Sequence, residues 1–185
     1  WLSGLITGAV PRPGRIGLAY FADDKGRIVT EMSVMALDED FFFLITAAVA
    51  ESHDFEWLAS RLPQATPMTL QNVTDTFTCQ ILTGPESRTI LADVADADLS
   101  LPWLTHQSCR IAGRWLQLVR VSFAGELGWE LHSKTEDTAS IFDAVQQAGR
   151  KHGLKPFGMF ALDSLRLEKG YRAWKQDLST DYTVL

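Results

Sequence analysis

The sequence is poor in cysteine, lacks an excess of basic residues and contains no long hydrophobic run. Its 185 residues include two cysteines, Cys79 and Cys109, which cannot form a disulfide framework and indicate reduced thiols. The 17 Lys+Arg residues are outnumbered by 23 Asp+Glu residues. This net charge of −6 disfavours a nucleic-acid partner, because phosphate contacts require basic residues. The longest apolar run, residues 41–49, is too short to cross a bilayer, so no membrane partner is expected.

Several motifs that identify large enzyme classes are also missing from the chain. The sequence has no GxGxxG, GxxxxGK[ST], GxSxG or HExxH motif, which leaves dinucleotide-binding, P-loop, α/β-hydrolase and zincin functions without support. Its four histidines are scattered without the spacing of metal ligands, so the sequence predicts no metal site. We expect Cys79, in a predicted strand, to be a small core residue.

The composition that remains is that of a globular protein. Hydrophobic residues make up 46% of the chain and aromatic residues 10%, enough for a substantial core in one large domain or two small ones. The proline-bounded segment 63–67 is the best candidate for an internal boundary. The chain begins with Trp1 and stops at Leu185 without a helix cap or tail, so we expect it to be a piece of a longer protein.

Residue periodicity predicts short strands joined mainly by turns. The first half is expected to form a β-hairpin, a third strand buried on both faces and a helix, at 16–35, 41–48 and 51–62. The second half is expected to contain five strands, at 68–73, 77–82, 108–111, 115–124 and 129–132. Three further helices are expected at 85–94, 135–152 and 159–171. This order predicts an α+β fold with mainly antiparallel sheets and packed helices, and its loosely repeated rhythm suggests an internal duplication.

Three segments carry side chains suited to chemistry. The segment 123–130 contains Glu130 beside Trp129 and a tight glycine turn that allows close backbone approach to a ligand. Glu31 is an acid within a predicted strand, on the face opposite to Thr30 and the apolar residues of that strand. On the last helix Asp163 and Arg166 share a face. Residue patterns alone favour the simpler alternatives for all three: solvated acids on the strands and surface ion pairs on the helix.

Taken together, these segments resemble the folate-binding aminomethyltransferase family, whose best-known member is the glycine cleavage T-protein. Residues 120–131, RVSFAGELGWEL, resemble the family signature R-x-S/T-Y-T-G-E-x-G-[YFW]-E. Residues 161–170, ALDSLRLEKG, resemble its A-R-D-S-L-R-L-E-K-G helix, and residues 25–34 resemble the strand that carries its catalytic carboxylate. The resemblance extends over nearly the whole chain and implies a T-protein-like folate-binding domain at 1–185.

Other segments resemble one branch of this family more narrowly. Residues 14–18, 44–46, 52–54 and 171–174 are similar to the folate domain of dimethylglycine and sarcosine dehydrogenases. In those enzymes a flavin domain oxidises an N-methyl amine before the folate domain receives the one-carbon unit. The resemblance therefore implies tetrahydrofolate as cofactor, a small methylamine-type donor, and FAD only in a separate domain upstream of this chain. It also implies a cytoplasmic location, or the mitochondrial matrix in a eukaryote.

The resemblance assigns roles to individual residues. Glu130 matches the carboxylate that holds the pterin, and Phe123 stands where the family usually has a tyrosine that contacts the pterin. Thr46 aligns with a polar pterin contact, and Glu31 is the nearest match to the catalytic aspartate. Further cofactor contacts are expected from Trp129, Tyr20 and Arg166. The neighbouring Thr30 stands where T-proteins often carry an acid, and Leu162 replaces an arginine of the family helix.

The implied reaction is one-carbon transfer to tetrahydrofolate, giving 5,10-methylene-tetrahydrofolate, with a carboxylate that orients or deprotonates the reacting amine. An S-methyl donor, giving 5-methyl-tetrahydrofolate, is known elsewhere in the family and remains open. The alternative is a binding module or scaffold that holds folate without catalysing transfer, in line with the lost tyrosine hydroxyl at Phe123 and with Glu31 in place of aspartate. A third possibility is a fragment with no activity of its own.

Overall fold

The computed structural model of the chain describes residues 1–65 and 67–184 and shows two separate antiparallel sheets with four α-helices. The predicted α+β class is therefore confirmed. The chain divides into two compact units. The first unit comprises Trp1–Asn72 and Arg172–Leu185, and the second unit comprises Val73–Tyr171. The predicted break at 63–67 precedes this division, and its residue Thr66 lies outside the described residues.

The first unit is built on a three-stranded sheet with the strand order β1-β2-β3. Strands β1 (Ile16–Ala22) and β2 (Ile28–Ala36) form the predicted hairpin, and β3 (Phe42–Ile45) pairs with the other side of β2. Helix α1 (Glu51–Ala59) follows β3. The sheet and α1 enclose a core whose main buried side chains are Leu2, Ile6, Ala19, Phe21, Met32, Val34 and Leu58.

Alternation along β2 determines which side chains enter this core. Ile28, Thr30, Met32 and Val34 are buried, whereas Glu31 lies on the opposite face and is only half-buried. This separation is the one that the sequence predicts, because successive side chains of a strand point to opposite faces. It places the acid of β2 on a different face from the hydrophobic core.

Two strand predictions, at 41–48 and 68–73, are wrong. The third strand is an edge strand of four residues in which every side chain is half-buried, and Phe41 before it is exposed. Its apolar composition suggested a central strand, but a strand with only one neighbour keeps an open side. Residues 68–73 form no strand, and helix α1 ends three residues earlier than predicted.

The second unit contains a four-stranded antiparallel sheet with the order β4-β7-β6-β5. These strands are Phe77–Thr83 (β4), His106–Ile111 (β5), Arg114–Val119 (β6) and Gly128–Lys134 (β7). Helices α2 (Ser87–Ala92) and α3 (Thr138–Gly149) contribute buried side chains to the same core as the sheet. The largest buried side chains of this core are Trp129, Ile90, Leu91, Ile111, Leu118, Leu131 and Ile141.

The helices of this unit differ from the sequence prediction at their ends. The segment predicted as one helix over 135–152 is α3 with a short 3₁₀ turn before and after it. Thr135 is the first residue of the 3₁₀ turn before α3, and its hydroxyl donates to the carbonyl of Asp75. Helix α4 (Met159–Glu168) stops three residues before the predicted end. Among the described residues, none of the helices is long and apolar enough to cross a membrane.

Candidate functional site

The first group of site residues lies on the face of the hairpin that turns away from the core. Tyr20 of β1 is the direct cross-strand partner of Glu31 of β2, so their side chains are neighbours on one face. Burial, together with the Glu31 carboxylate, raises the pKa of Tyr20, and the Arg172 cation partly offsets this rise. The phenol therefore keeps its proton well above neutral pH and remains a hydrogen-bond donor beside the carboxylate.

The Glu31 carboxylate is held by a backbone group from the end of the chain. The N–H of Trp174 donates a hydrogen bond of 3.0 Å to Oε1 of Glu31. The segment that carries Trp174 is itself fixed to β2, since the N–H of Ile28 donates to the carbonyl of Tyr182 and the N–H of Val184 donates to the carbonyl of Gly26. One orientation of the carboxylate is thus defined by residues that are distant in sequence.

Asp54, to which the sequence analysis gave no role, is the centre of a buried polar network. This residue of α1 is 2% exposed, and its Oδ2 accepts hydrogen bonds from the hydroxyls of Thr30, at 3.0 Å, and Thr46. Its Oδ1 lies 2.8 Å from Nδ1 of His53, whose ring lies 5.3 Å from the ring of Trp174. Thr46, predicted to contact the cofactor, therefore donates its proton to Asp54 and keeps oxygen lone pairs as acceptors.

The second group lies on one face of the sheet of the second unit. Glu130 and His132 are two residues apart on β7 and so share a face, and Oε2 of Glu130 lies 2.9 Å from Nε2 of His132. The His132 side chain is buried, and the Glu130 side chain is 19% exposed. A carboxylate in this setting is fixed by its neighbour yet still presents surface to a ligand.

Trp129 lies on the other face of the same strand. Its side chain has no exposed surface and belongs to the hydrophobic core, although the sequence analysis assigned it a cofactor contact. The guanidinium of Arg120 lies 5.1 Å from its ring and donates to the carbonyl of Gly128. We infer that Trp129 supports the strand beneath Glu130, because a fully buried ring has no surface to offer a ligand.

Phe123, which precedes this strand, stacks on a second aromatic ring. The rings of Phe123 and Tyr171 are 6.4 Å apart and nearly parallel, with an interplanar angle of 15°. Arg166 of α4 is 2% exposed and donates to the carbonyl of Tyr171 at 2.9 Å and to the carboxylate of Asp163 at 2.7 Å. Arg166, which was predicted to contact the cofactor, is therefore buried and holds Tyr171. Tyr171 in turn packs on Phe123.

The turn that leads from Phe123 into β7 depends on two glycines. Gly125 has φ +79°, and a Cβ there would lie 2.6 Å from Cγ of Lys169. A Cβ on Gly128, the first residue of β7, would lie 2.6 Å from Cβ of the buried Ser122. Both glycines therefore permit a backbone approach that a larger residue would prevent.

The predicted residues thus form two groups, each assembled within its own unit. Asp54, His132 and Trp174 were not predicted as site residues. His132 had a signal in its spacing of two residues from Glu130 on a predicted strand. Asp54 had one as an acid in the interior of a predicted helix, but its burial is detectable only after the fold is known.

The chain is similar in sequence to a known family and to several known proteins. The family model described as "GCVT N-terminal domain" matches residues 1–185. Dimethylglycine dehydrogenase from Homo sapiens is 31% identical over 188 aligned positions, which cover 100% of this chain and 22% of that protein. Sarcosine dehydrogenase from Mus musculus is 40% identical over 156 positions, covering 82% of this chain and 17% of that protein. The chain therefore spans about a fifth of the length of these two mitochondrial relatives.

A solved structure supports the same fold. The glycine cleavage system aminomethyltransferase T from Bartonella henselae superposes with a TM-score of 0.78 at 22% identity. The match covers 95% of this chain and 46% of that protein. At this level of identity the similarity establishes the fold.

Proposed function

We propose, from the premise that this chain belongs to the GCVT N-terminal domain family, that it binds tetrahydrofolate and catalyses one-carbon transfer to it from an N-methyl or aminomethyl donor. The observation that carries this proposal is Glu130, a partly exposed carboxylate on the sheet face opposite to Trp129, oriented by His132. It stands in the segment that resembles the family signature. The Glu130 carboxylate suits this ligand, because one carboxylate accepts two adjacent N–H groups of an aminopyrimidinone ring as a charge-assisted pair.

Within each unit, the other predicted residues carry groups suited to this ligand. Phe123, already stacked on Tyr171, offers an aromatic surface for a flat ring system. Thr46 offers hydroxyl lone pairs, and Tyr20 offers a phenol proton. Arg166 would act through Tyr171, whose carbonyl it holds. When bound, tetrahydrofolate supplies the nitrogen nucleophile that accepts the one-carbon unit.

Glu31 is the proposed catalytic residue. Its Oε1 accepts the Trp174 N–H, so the carboxylate is oriented before any ligand arrives. A fixed carboxylate can hold a reacting amine in position and take its proton, and it would then act as a general base. The neighbouring Tyr20 remains protonated and can donate to the same carboxylate or to the ligand.

The relatives suggest the setting of this domain. We propose that it stands in a longer chain with an upstream flavin domain, which oxidises a small methylamine such as dimethylglycine or sarcosine and holds FAD. The names of the two dehydrogenases and the small share of each that this chain covers support this arrangement. We propose the mitochondrial matrix as its compartment in a eukaryote, and the cytoplasm otherwise.

Binding is tested by titrating the chain with tetrahydrofolate under reducing conditions and following tryptophan fluorescence. Glu130→Gln removes the charge and one acceptor oxygen, so we expect the Kd to rise about 100-fold, the loss of one or two hydrogen bonds to a charged group. Glu126→Gln is the matched control, because Glu126 is an exposed acid in the same turn. Equal binding by wild type and Glu130→Gln would contradict the site, and absence of saturable binding by the folded chain would contradict the proposal for this domain.

A further inference from the structure

A second feature of the sheet in the second unit is a cluster of three different metal-binding side chains. Cys79 of β4 is the direct cross-strand partner of His132 of β7, and Glu130 is two residues before His132. The three side chains consequently share one sheet face. The Sγ, Nε2 and carboxylate oxygen atoms all lie within 4.8 Å of one another.

Two distances within this cluster are close to those between ligands of one small ion. Sγ of Cys79 lies 3.7 Å from Nε2 of His132, and Nε2 lies 2.9 Å from Oε2 of Glu130. In a tetrahedral zinc site, bonds of about 2.3 Å to sulfur and about 2.0 Å to nitrogen and oxygen place the ligand atoms roughly 3.3–3.6 Å apart. Movements of a few tenths of an ångström bring these two pairs to such separations, and Sγ of Cys79 and the carboxylate oxygen of Glu130 lie within 4.8 Å of one another.

The surroundings of the cluster leave an ion a route of entry. Cys79 is exposed as a residue, contrary to its expected place in the core, although burial of the sulfur and the Glu130 carboxylate raise the pKa of its thiol. The other cysteine, Cys109, is buried as a residue. On the neighbouring strand β6, Gln117 lies directly opposite His132. Its Oε1 is buried and, among the described residues, has no hydrogen-bond partner. A water molecule on the open position of a three-ligand ion would give such an acceptor a donor.

We propose that Cys79, Glu130 and His132 form a binding site for a divalent ion of the zinc class, with one coordination position left open. A thiolate, an imidazole and a carboxylate are the ligand types that zinc prefers. An ion that binds would displace the thiol proton of Cys79 into solvent. The proton shared between Nε2 of the neutral His132 ring and Oε2 of Glu130 would pass to Nδ1 through water, which frees both atoms as ligands without further proton release. One proton is released for each ion bound.

This site has a consequence for the ligand proposed above, and that consequence rests on the proposed function. Glu130 cannot give the same oxygens to an ion and to a pterin. Zinc and tetrahydrofolate therefore exclude one another, which makes the cluster an inhibitory site.

The site is tested with Co²⁺, whose thiolate complexes absorb in the near ultraviolet. We expect a saturable absorption band with one Co²⁺ per chain, its displacement by Zn²⁺, and release of one proton detected with a pH indicator. Cys79→Ser is expected to abolish the band, and His132→Gln to weaken the affinity at least tenfold. Cys109→Ala is the matched control and is expected to retain the band, since that thiol is buried.

Two results would overturn the metal site: no thiolate band in the folded wild-type chain, or a band that survives Cys79→Ser. Circular dichroism establishes that each variant is folded. A separate titration with tetrahydrofolate at saturating Zn²⁺ is expected to raise the apparent Kd in wild type and to leave it unchanged in Cys79→Ser. An unchanged Kd in wild type would overturn mutual exclusion alone, and because the Co²⁺ titration needs no folate, failure of folate binding leaves its result intact.

Discussion

The backbone N–H of Trp174 donates a hydrogen bond of 3.0 Å to the carboxylate of Glu31, a residue 143 positions earlier. A backbone donor has no rotamer freedom, so it restricts the carboxylate more firmly than a surface side chain would. The same tryptophan ring lies 5.3 Å from the His53 ring, next to the buried Asp54. The proposed catalytic acid is therefore fixed by a segment that returns from the far end of the chain.

Glu31→Gln is expected to reduce one-carbon transfer while leaving tetrahydrofolate binding intact. The amide oxygen of glutamine still accepts the Trp174 N–H, but it cannot take a proton, and loss of a general base typically lowers kcat by about 100-fold or more. The assay uses the proposed flavin-containing parent chain with dimethylglycine or sarcosine as donor. It measures 5,10-methylene-tetrahydrofolate formed against free formaldehyde released.

The matched control for this variant is Glu39→Gln, an exposed acid in the loop after β2. Its transfer rate should equal that of wild type. If wild type transfers and Glu31→Gln transfers equally well, the assignment of Glu31 is wrong. If wild type binds tetrahydrofolate but does not transfer, the domain is a folate-binding module.

The ionisation of Tyr20 reports on its two charged neighbours with opposite signs. The Glu31 carboxylate disfavours the tyrosinate anion, so Glu31→Gln should lower the pKa of Tyr20, whereas the Arg172 cation favours that anion, so Arg172→Gln should raise it. Ultraviolet titration of tyrosinate measures both shifts, and Tyr20→Phe identifies which of the three tyrosines is responsible. Shifts of the same sign in the two variants would contradict the placement of these charges.

The aromatic surface at Phe123 should be required for affinity, whereas the hydroxyl of the tyrosine that the family usually has at this position should not be. Phe123→Leu removes the ring that stacks on Tyr171 and is expected to raise the Kd for tetrahydrofolate about 2- to 10-fold, the usual range for one aromatic pair. Phe123→Tyr keeps the ring and is expected to bind within about twofold of wild type. Fluorescence titration of both variants checks this, and equal affinity of Phe123→Leu would exclude a stacking role.

The close approach at Gly128 should make an added methyl group costly. In Gly128→Ala the new Cβ would lie 2.6 Å from Cβ of Ser122, so the variant must shift a buried backbone segment. We expect a loss of about 1–3 kcal/mol and a decrease in Tm of roughly 3 °C or more, measured by thermal unfolding. Gly4→Ala is the control, because a Cβ at Gly4 meets nothing within 4 Å, and a similar decrease there would refute the steric explanation.

The parts of the fold that were predictable are those with a local pattern. Alternation in β2 correctly placed Thr30 in the core and Glu31 on the other face. The strand at 41–48 failed because apolar composition does not show whether a strand has one neighbour or two. The strand predicted at 68–73 is absent because, among the described residues, this segment has no neighbouring strand with which to pair.

The residues of the candidate site also divide into those with a local sequence pattern and those that depend on contacts between distant segments. Glu130 and its turn were recognisable from sequence, and the i, i+2 spacing from Glu130 to His132 already places both on one face of a strand. The contact of Cys79 with His132 depends on the register of β4 against β7, which nothing in the sequence near either residue specifies. Asp54 was hidden for a similar reason, since the hydroxyls that bind it come from two other segments.

The arrangement of the first unit also constrains how its gene can be rearranged. Residues 73–171 form one continuous stretch of coding sequence, inserted between two stretches that fold together. Recombination that exchanges this insert as a cassette leaves the Glu31 carboxylate and the Trp174 N–H in the same product. A single crossover anywhere between the two codons instead brings them together from different parents, and a descendant keeps the contact only if both parents encode it.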